Sequence, residues 1–342
     1  MRGDGGLASR DMLAPISRDR LAMLLAAARG RRVVVVGDAM LDVYLRGDVE
    51  RISPEAPVPV VRVRDRRDAL GGAANVAQNV LAVDAHCTLV AAIGDDLAGT
   101  RLSGLLRAIG GATAALVTVT RPTTTKTRIV ARSQQLLRFD EEEDADLDAN
   151  DVARVIAAVS DALATADAVI LEDYNKGVLV PLVIERTIAL ATERNVPVVV
   201  DPKFRNFFSY KGATVFKPNR RELEQALGAA VDLAHPAALP ATLSRLDVAH
   251  LLLTLSEHGM ALVSRGGEIT RIPTTAREVY DVVGAGDTVT AYLALMLAAG
   301  ADAREAAVIA NYAAGVEVGK LGAATVTPLE VLAAYDALHH AA

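Results

Sequence analysis

Cysteine, basic charge and long apolar runs, each of which would define a protein class, are scarce in this sequence. The single cysteine, Cys87, excludes a disulfide framework, and its apolar surroundings are typical of a buried, reduced thiol. The formal net charge is -6, so the composition does not favour nucleic acid as a partner. No apolar stretch approaches the roughly 18 residues that a membrane span requires. We therefore expect a cytoplasmic protein that binds neither nucleic acid nor a membrane.

Two common nucleotide-binding signatures are also missing. The chain has no G-x-x-x-x-G-K-[ST] sequence, so it is not a P-loop enzyme, and it lacks the catalytic loop of protein kinases. Gly284-Ala285-Gly286 can begin a dinucleotide-binding fingerprint, but Val289 occupies the position of the third glycine. This departure disfavours a nicotinamide-dependent oxidoreductase, which stays open as an alternative.

The order of apolar and polar segments predicts the fold class. Short β-branched runs end in polar loops and are followed by helical segments, which predicts an α/β protein with a doubly wound, mainly parallel sheet. From 342 residues, we expect one large domain over 17–342 and a flexible, Gly-rich tail at 1–16. The predicted strands lie at 33–36, 89–93, 115–119, 168–171, 198–200, 215–216 and 251–255.

Two stretches of alternating apolar and polar residues interrupt this order, at about 43–66 and 120–139. Such alternation predicts antiparallel strands with one solvated face, and prolines are tolerated at a sheet edge. We expect the two stretches to form a small antiparallel lid over the main site. Their basic residues either face an anionic ligand or are solvated, and the pattern does not decide between the two.

The stretch from Asp281 to Thr288 reads as a glycine turn that opens directly into a helix. Small residues let backbone N–H groups converge on one point, and the helix start adds a positive dipole end, so the turn is suited to bind anionic oxygens. Asp287 lies inside this turn, where a carboxylate makes sense if it takes a proton from an attacking hydroxyl. The alternative is an ordinary glycine turn with an aspartate that caps a helix.

Polar residues also collect near the end of the first predicted strand. Asp38 and Asp42 follow that strand, at the edge where open α/β sheets bind their ligands. Gly71 and Gly72 precede a helix whose first turn contains Asn75, an amide that can bind hydroxyl groups. For Asp38 and Asp42, the alternative is a pair of turn aspartates without a ligand.

A phosphoryl-transfer site needs metal ligands and cations in addition to an anion cradle and a base. Asn219, Glu222 and Asp173 can supply oxygen ligands to Mg²⁺. Lys176 and Lys203, which follow two further strands, can contact phosphates. Together with the glycine turn, these residues predict phosphoryl transfer from ATP to an alcohol.

These motifs resemble those of the ribokinase-like (PfkB) carbohydrate kinases over nearly the whole chain. Gly-Gly-Ala-Ala-Asn at 71–75 looks like the sugar-site signature of that family, and Asp-Val-Val-Gly-Ala-Gly-Asp-Thr at 281–288 looks like its C-terminal signature. Lys217-Pro218-Asn219 with Glu222 is similar to the N-x-x-E element associated with magnesium and phosphate. The resemblance implies a ribokinase-like fold.

The resemblance also implies roles for individual residues. Asp287 would be the catalytic base, and Gly284, Ala285 and Gly286 would form the anion hole. ATP would be the co-substrate and Mg²⁺ the cofactor, with Glu222 of the N-x-x-E element as a ligand beside Asp173, which the residues alone suggest. A requirement for a monovalent cation is left open. The implied ATP-binding residues are Asn219, Arg220, Arg221, Glu222, Thr254, Ser256, Glu257, Gly259 and Asn311.

A narrower resemblance is to the kinases that act on D-glycero-D-manno-heptose 7-phosphate. The segments RISPEAPVPV at 51–60, TKTR at 125–128, QQLLR at 134–138 and DYNKG at 173–177 carry it. It implies phosphorylation of the anomeric O1 to give the 1,7-bisphosphate, an early step toward the ADP-heptose of the lipopolysaccharide core. Some relatives carry a fused adenylyltransferase, but no H-x-G-H motif occurs here, so a stand-alone kinase is expected.

The phosphate already on such a substrate needs cationic partners. The first candidates are Arg138, Lys176 and Lys203, and the second candidates are Arg128 and Arg132. The residues expected to surround or hold the sugar are Asp38, Asp42, Gly71, Gly72, Asn75 and Gln135.

Other functions and the oligomeric state stay open at this point. Another PfkB enzyme, for a sugar, a sugar phosphate or a nucleoside, is the nearest alternative, and a ligand-sensing protein without turnover is a different class. Valine-rich edges on the lid favour a homodimer joined through it.

Overall fold

The computed structural model describes residues 16–110, 112–132, 134–231 and 239–339. The expected tail at 1–16 lies outside these ranges except for its last residue. The strands are β1 (Arg32–Gly37), β2 (Ala39–Ile52), β3 (Pro59–Gly72), β4 (His86–Gly94), β5 (Ala112–Val119), β6 (Thr125–Ala131), β7 (Gln134–Glu141), β8 (Ala168–Glu172), β9 (Val198–Asp201), β10 (Val215–Phe216), β11 (His250–Thr254), β12 (Met260–Ser264) and β13 (Ile269–Ile272). The helices are α1 (Arg18–Ala28), α2 (Ala73–Leu81), α3 (Leu97–Ala108), α4 (Ala149–Leu163), α5 (Pro181–Glu193), α6 (Arg220–Leu227), α7 (Leu239–Leu246), α8 (Ala285–Ala298), α9 (Ala303–Glu317) and α10 (Pro328–His339).

The main sheet has nine strands in the order β13-β12-β11-β10-β9-β8-β1-β4-β5. Every neighbouring pair from β11 to β5 is parallel, whereas β12 and β13 pair antiparallel at one edge. The prediction of a doubly wound, mainly parallel α/β sheet is confirmed. The two antiparallel edge strands were not predicted.

The β-branched run of β1 is buried on both faces of this sheet. Val33 and Val35 pack into one hydrophobic core with α1, α2, α8, α9 and α10, whereas Val34 and Val36 pack into a second core with α4 and α5. Side chains alternate along a strand, so an uninterrupted apolar run is what a central strand between two helical layers needs. Within the described ranges, no helix is long and apolar enough to cross a membrane.

The predicted lid is a separate sheet of four strands in the order β3-β2-β6-β7. The outer pairs, β2 with β3 and β6 with β7, are antiparallel as expected. The central pair of β2 with β6 is parallel, because both strands leave the body of the protein in the same direction. The lid strands are also longer than predicted, since β2 begins at Ala39 and β3 ends at Gly72, both next to the main sheet.

Candidate functional site

Asp287 lies at the start of α8, beside the carboxyl ends of β8 and β9. Gly284 is the residue before the helix and has a φ of 98°, which favours glycine. A Cβ on Gly284 would also lie 3.1 Å from Ala323 and from the carboxylate of Glu317. The turn therefore depends on glycine, and it places Asp287 in the first turn of α8, where its side chain is buried.

Two side chains from distant parts of the chain hold the Asp287 carboxylate. The Asn75 amide donates to Oδ2 at 2.6 Å, and the Tyr174 hydroxyl donates to Oδ1 at 2.9 Å. Burial raises the pKa of Asp287 to about 6, and the nearby charge of Asp201 acts in the same direction. The bonds from Asn75 and Tyr174 oppose this rise. A carboxylate with a pKa near neutrality is suited to accept a proton.

Helix α2 is fixed against α8 by a second contact. The Thr288 hydroxyl donates to the Asn79 side-chain oxygen at 3.1 Å. Gly72, just before α2, has a φ of 57°, and a Cβ there would lie 2.4 Å from the carbonyl oxygen of Asp38. The Gly71-Gly72 turn thus brings α2 close enough for Asn75 to reach Asp287.

Three carboxylates meet beside this point. Glu172 ends β8, Asp201 ends β9, and with Asp287 they offer oxygen atoms that all lie within 4.8 Å of one another. Within the described ranges, neither oxygen of Glu172 has a hydrogen-bond partner, and burial together with Asp201 raises its pKa well above the usual range. The Lys217 ammonium lies 2.8 Å from Asp201. Glu172 and Asp201 were not predicted as site residues, although each directly follows a predicted strand.

The predicted magnesium ligands lie outside this trio. Asp173 accepts hydrogen bonds from the Tyr210 hydroxyl at 2.7 Å and from the Asn175 backbone at 2.7 Å. Glu222 forms an ion pair with Lys203 and a reciprocal capping box with Asn219 at the start of α6. Asp173 and Glu222 are therefore not among the carboxylates whose oxygen atoms lie within 4.8 Å of one another in the described part of the chain.

Asp38, expected where polar groups of the substrate bind, is held by the protein's own backbone. Its carboxylate accepts from the N–H groups of Tyr174 at 2.8 Å, Lys176 at 2.9 Å and Val178 at 3.2 Å. These three bonds fix the loop that presents Tyr174 to Asp287. In this arrangement Asp38 acts on the site through that loop.

The other predicted sugar-site residues surround the same space with different partners. Asp42 lies against Gly71 and forms an ion pair with Arg128 at 2.6 Å. Lys176 lies 2.7 Å from Glu142, and the half-exposed Arg138 lies 3.0 Å from Asp140. Gln135 is exposed on β7.

The predicted nucleotide residues lie along the ends of β10 and β11 and beside the loop that leads to α8. Thr254 bridges to Asn219, and the backbone of Gly259 closes a short turn. The buried Asn311 amide donates to the carbonyl of Pro273 at 2.8 Å, which fixes that loop. The solvent-exposed members of this set are Asn219, Arg220, Arg221, Ser256 and Glu257.

Besides the three clustered carboxylates, two further acidic residues, Asp281 and Glu317, lie behind the glycine turn. Asp281 accepts hydrogen bonds from the backbone of Val283 and of Gly322, each at 3.1 Å. The Glu317 carboxylate is fully buried, and burial together with Asp281 raises its pKa to about 8. Neither the buried position of Glu317 nor its approach to Gly284 could be recognised from its place in an ordinary helical segment.

Comparison with known families and proteins gives this site its context. Residues 31–330 match the family model described as pfkB family carbohydrate kinase. The protein named bifunctional protein HldE from Rhodospirillum rubrum is 46% identical over 317 residues, which cover 92% of this chain and 64% of that protein. The HldE of Gluconacetobacter diazotrophicus is 47% identical over 308 residues, covering 89% of this chain and 64% of that protein. The chain thus spans a little under two thirds of the length of these relatives.

Solved structures share the fold at low sequence identity. Phosphofructokinase-2 from Escherichia coli, in complex with potassium, matches with a TM-score of 0.76 and 18% identity over 91% of this chain and 99% of that one. Ribokinase from Arabidopsis thaliana, complexed with ribose and ATP, matches with a TM-score of 0.68 and 20% identity over 89% of this chain and 98% of that one. At these identities the likeness shows the fold alone.

Proposed function

Because the chain belongs to the pfkB family of carbohydrate kinases, we propose that it transfers the γ-phosphoryl group of ATP to a particular sugar phosphate. The acceptor is the anomeric O1 of D-glycero-β-D-manno-heptose 7-phosphate, and the product is the 1,7-bisphosphate used for ADP-heptose and the lipopolysaccharide core. The observation that carries the proposal is the buried Asp287 carboxylate, held by two side chains at the start of α8. The reaction takes place in the cytoplasm, where ATP is available.

Asp287 is the general base in this mechanism. Its carboxylate accepts the proton of the anomeric hydroxyl as that oxygen attacks the γ-phosphorus. Asn75 and Tyr174 orient the carboxylate, and burial keeps its pKa near neutrality, so that it is charged at physiological pH yet basic enough to take a proton. The backbone N–H groups of Gly284, Ala285 and Gly286 stabilise the charge on the transferring group.

Magnesium fits the three clustered carboxylates by the chemistry of their oxygen donors. Glu172 and Asp201 are the residues that would hold the ion, and Glu172 has both oxygens free for this role within the described part of the chain. When bound, Mg²⁺ neutralises charge on the phosphates of ATP. Glu222 and Asp173, implied by sequence, would then act from outside the ion's immediate surroundings.

A monovalent cation fits the acidic pair of Asp281 and Glu317 behind the anion hole. Glu317 is buried next to Asp281, and a cation there would offset the negative charge of Asp281, which adds to the effect of burial in raising the pKa of Glu317. Turnover measured in potassium chloride and in choline chloride at equal ionic strength tests this requirement. Equal rates in the two salts would contradict it.

The lid supports a homodimer. Strand register places Leu45, Ile129 and Leu137 opposite one another on one face, with Phe139 on the same face. Leu137 and Phe139 are 54% and 43% exposed, which leaves apolar surface that a second copy can cover. We expect a dimeric mass in solution scattering and a shift to monomer for Leu137→Asp, whereas a monomeric wild-type protein would contradict the dimer.

Measuring ADP release over a panel of acceptors tests the substrate. We expect the highest kcat/KM for heptose 7-phosphate, since four sequence segments resemble those of kinases acting on it. A higher value for a pentose, a hexose phosphate or a nucleoside would favour another pfkB enzyme. No ADP release with any acceptor would favour a ligand-sensing protein.

A further inference from the structure

One face of the lid carries three cations near the site, Lys126, Arg128 and Arg138. Strand register places Asp42, Lys126 and Asp140 opposite one another, and places Arg128 opposite Arg138 in the next row of the same face. This face is turned toward the site, because Asp42 lies against Gly71 and the Lys126 ammonium lies 5.3 Å from the centre of the Tyr174 ring.

Most cations around this space are already neutralised by a carboxylate. The ion pairs are Arg128 with Asp42, Arg138 with Asp140, Lys176 with Glu142 and Lys203 with Glu222. Lys126 differs from all of them. Across the described ranges of the chain, its ammonium forms no ion pair within 4.0 Å and no hydrogen bond, although the side chain is partly buried.

Lys126 and the proposed base, Asp287, contact the same aromatic ring. The Tyr174 ring lies between the two, with its hydroxyl on Asp287 and its face within 5.3 Å of the Lys126 ammonium. The Lys203 ammonium lies 5.2 Å from the centre of the same ring. Glu222 neutralises Lys203, whereas Lys126 has no carboxylate partner within 4.0 Å in the described part of the chain, so an anionic group of the ligand would be bound by the unpaired charge of Lys126.

We propose that Lys126 binds the phosphate that the sugar substrate already carries and thereby selects sugar phosphates over free sugars. The inference rests on the proposed function, because it takes Asp287 as the group that faces the reacting hydroxyl. A substrate with a hydroxyl at one end and a phosphate at the other would span the Tyr174 ring. Lys176, Lys203 and Arg138, the candidates from sequence, are less available because each has a carboxylate partner.

The experiment compares Lys126→Met with the wild-type protein on heptose 7-phosphate and on the free heptose. Loss of one charged hydrogen bond to phosphate should lower kcat/KM for heptose 7-phosphate about 10- to 100-fold, mainly through KM. The KM for ATP and kcat/KM for the free heptose should stay unchanged. Lys126→Arg keeps the charge and should recover part of the loss.

Binding without turnover gives an independent measurement. In an Asp287→Asn background, calorimetry should show the same 10- to 100-fold weakening for heptose 7-phosphate when Lys126→Met is added. Lys211→Met is the matched control, because this exposed lysine lies in the turn before β10, at the amino end of that strand, whereas the site lies at the carboxyl ends of the strands. It should change neither affinity nor rate.

The outcomes separate the inference from the proposed function. If wild-type protein uses heptose 7-phosphate and Lys126→Met keeps the same preference over free heptose, the role of Lys126 is overturned and the function stands. Equal losses on both sugars would also overturn it, since they indicate a structural effect. If wild-type protein uses another sugar phosphate, the heptose assignment fails, and the same comparison with that acceptor decides the role of Lys126. If the wild-type protein uses only free sugars, both the heptose 7-phosphate assignment and the role of Lys126 fail.

Discussion

The hydroxyl of Tyr174 donates a hydrogen bond to the carboxylate of Asp287 at 2.9 Å, joining the loop after β8 to the first turn of α8. The same loop is also fixed through its backbone, because the Tyr174 N–H donates a hydrogen bond to the Asp38 carboxylate at 2.8 Å. Asp38 therefore supports Tyr174, and Tyr174 in turn orients the carboxylate of Asp287, the proposed base. The sequence shows both residues, but it does not show that they form one chain of contacts.

Replacing Tyr174 with phenylalanine should shift the pH dependence of the reaction. As the proposed base, Asp287 would have to be deprotonated to act, so wild-type kcat/KM should fall as the pH drops through about 6. The Tyr174 hydrogen bond lowers the pKa of Asp287, and its loss should move the acidic limb of the profile to higher pH. We expect roughly a 10-fold lower rate at neutral pH. An acidic limb at the wild-type position would show that Tyr174 does not act on the base.

Residues in local motifs were predictable, whereas residues assembled by strand order were not. Asp287, Gly284 and Asn75 each belong to a glycine turn followed by a helix, and such a turn is visible within ten residues of sequence. Glu172 and Asp201 look like ordinary strand ends. Their proximity depends on β8 and β9 being neighbours in the sheet, which long-range pairing determines.

The carboxylate partners of the predicted cations could not be recognised from the sequence either. The motifs put Lys203 and Lys176 at strand ends, but only the folded chain shows that Glu222 and Glu142 neutralise them. The lid shows the same limit, because alternation predicts strands but not the direction in which two distant strands pair. The parallel pairing of β2 with β6 is therefore visible only in the structure.

Removing the charge of Lys217 should destabilise the protein. Lys217 is buried and lies 2.8 Å from Asp201, so Lys217→Met would leave three clustered carboxylates without their nearest cation. Breaking a buried pair in this way lowers the free energy of unfolding by about 3–5 kcal/mol. Urea unfolding followed by circular dichroism measures the change.

A second substitution provides the control for this prediction. Adding Asp201→Asn removes one of the repelling carboxylates, so the double variant should be more stable than Lys217→Met alone. If the two single effects simply add, Lys217 does not stabilise the protein through Asp201.

Cys87 should be inert in the folded protein. It is buried in β4, and burial raises the pKa of its thiol from 9.0 to about 12, which lowers the thiolate fraction about 10³-fold at a given pH. Iodoacetamide at pH 8 should label the urea-unfolded chain and leave the native protein unlabelled over the same time, as measured by intact mass. Rapid labelling of native protein would contradict the buried position.

The most direct test of Asp287 as the base is turnover by Asp287→Asn, measured as ADP release with saturating ATP and heptose 7-phosphate. The amide keeps the shape of the side chain but cannot accept the proton, so kcat should fall about 10²- to 10⁴-fold. Both substrates should still bind, which calorimetry can confirm for each. A kcat within a few-fold of the wild-type value would contradict the central role of Asp287.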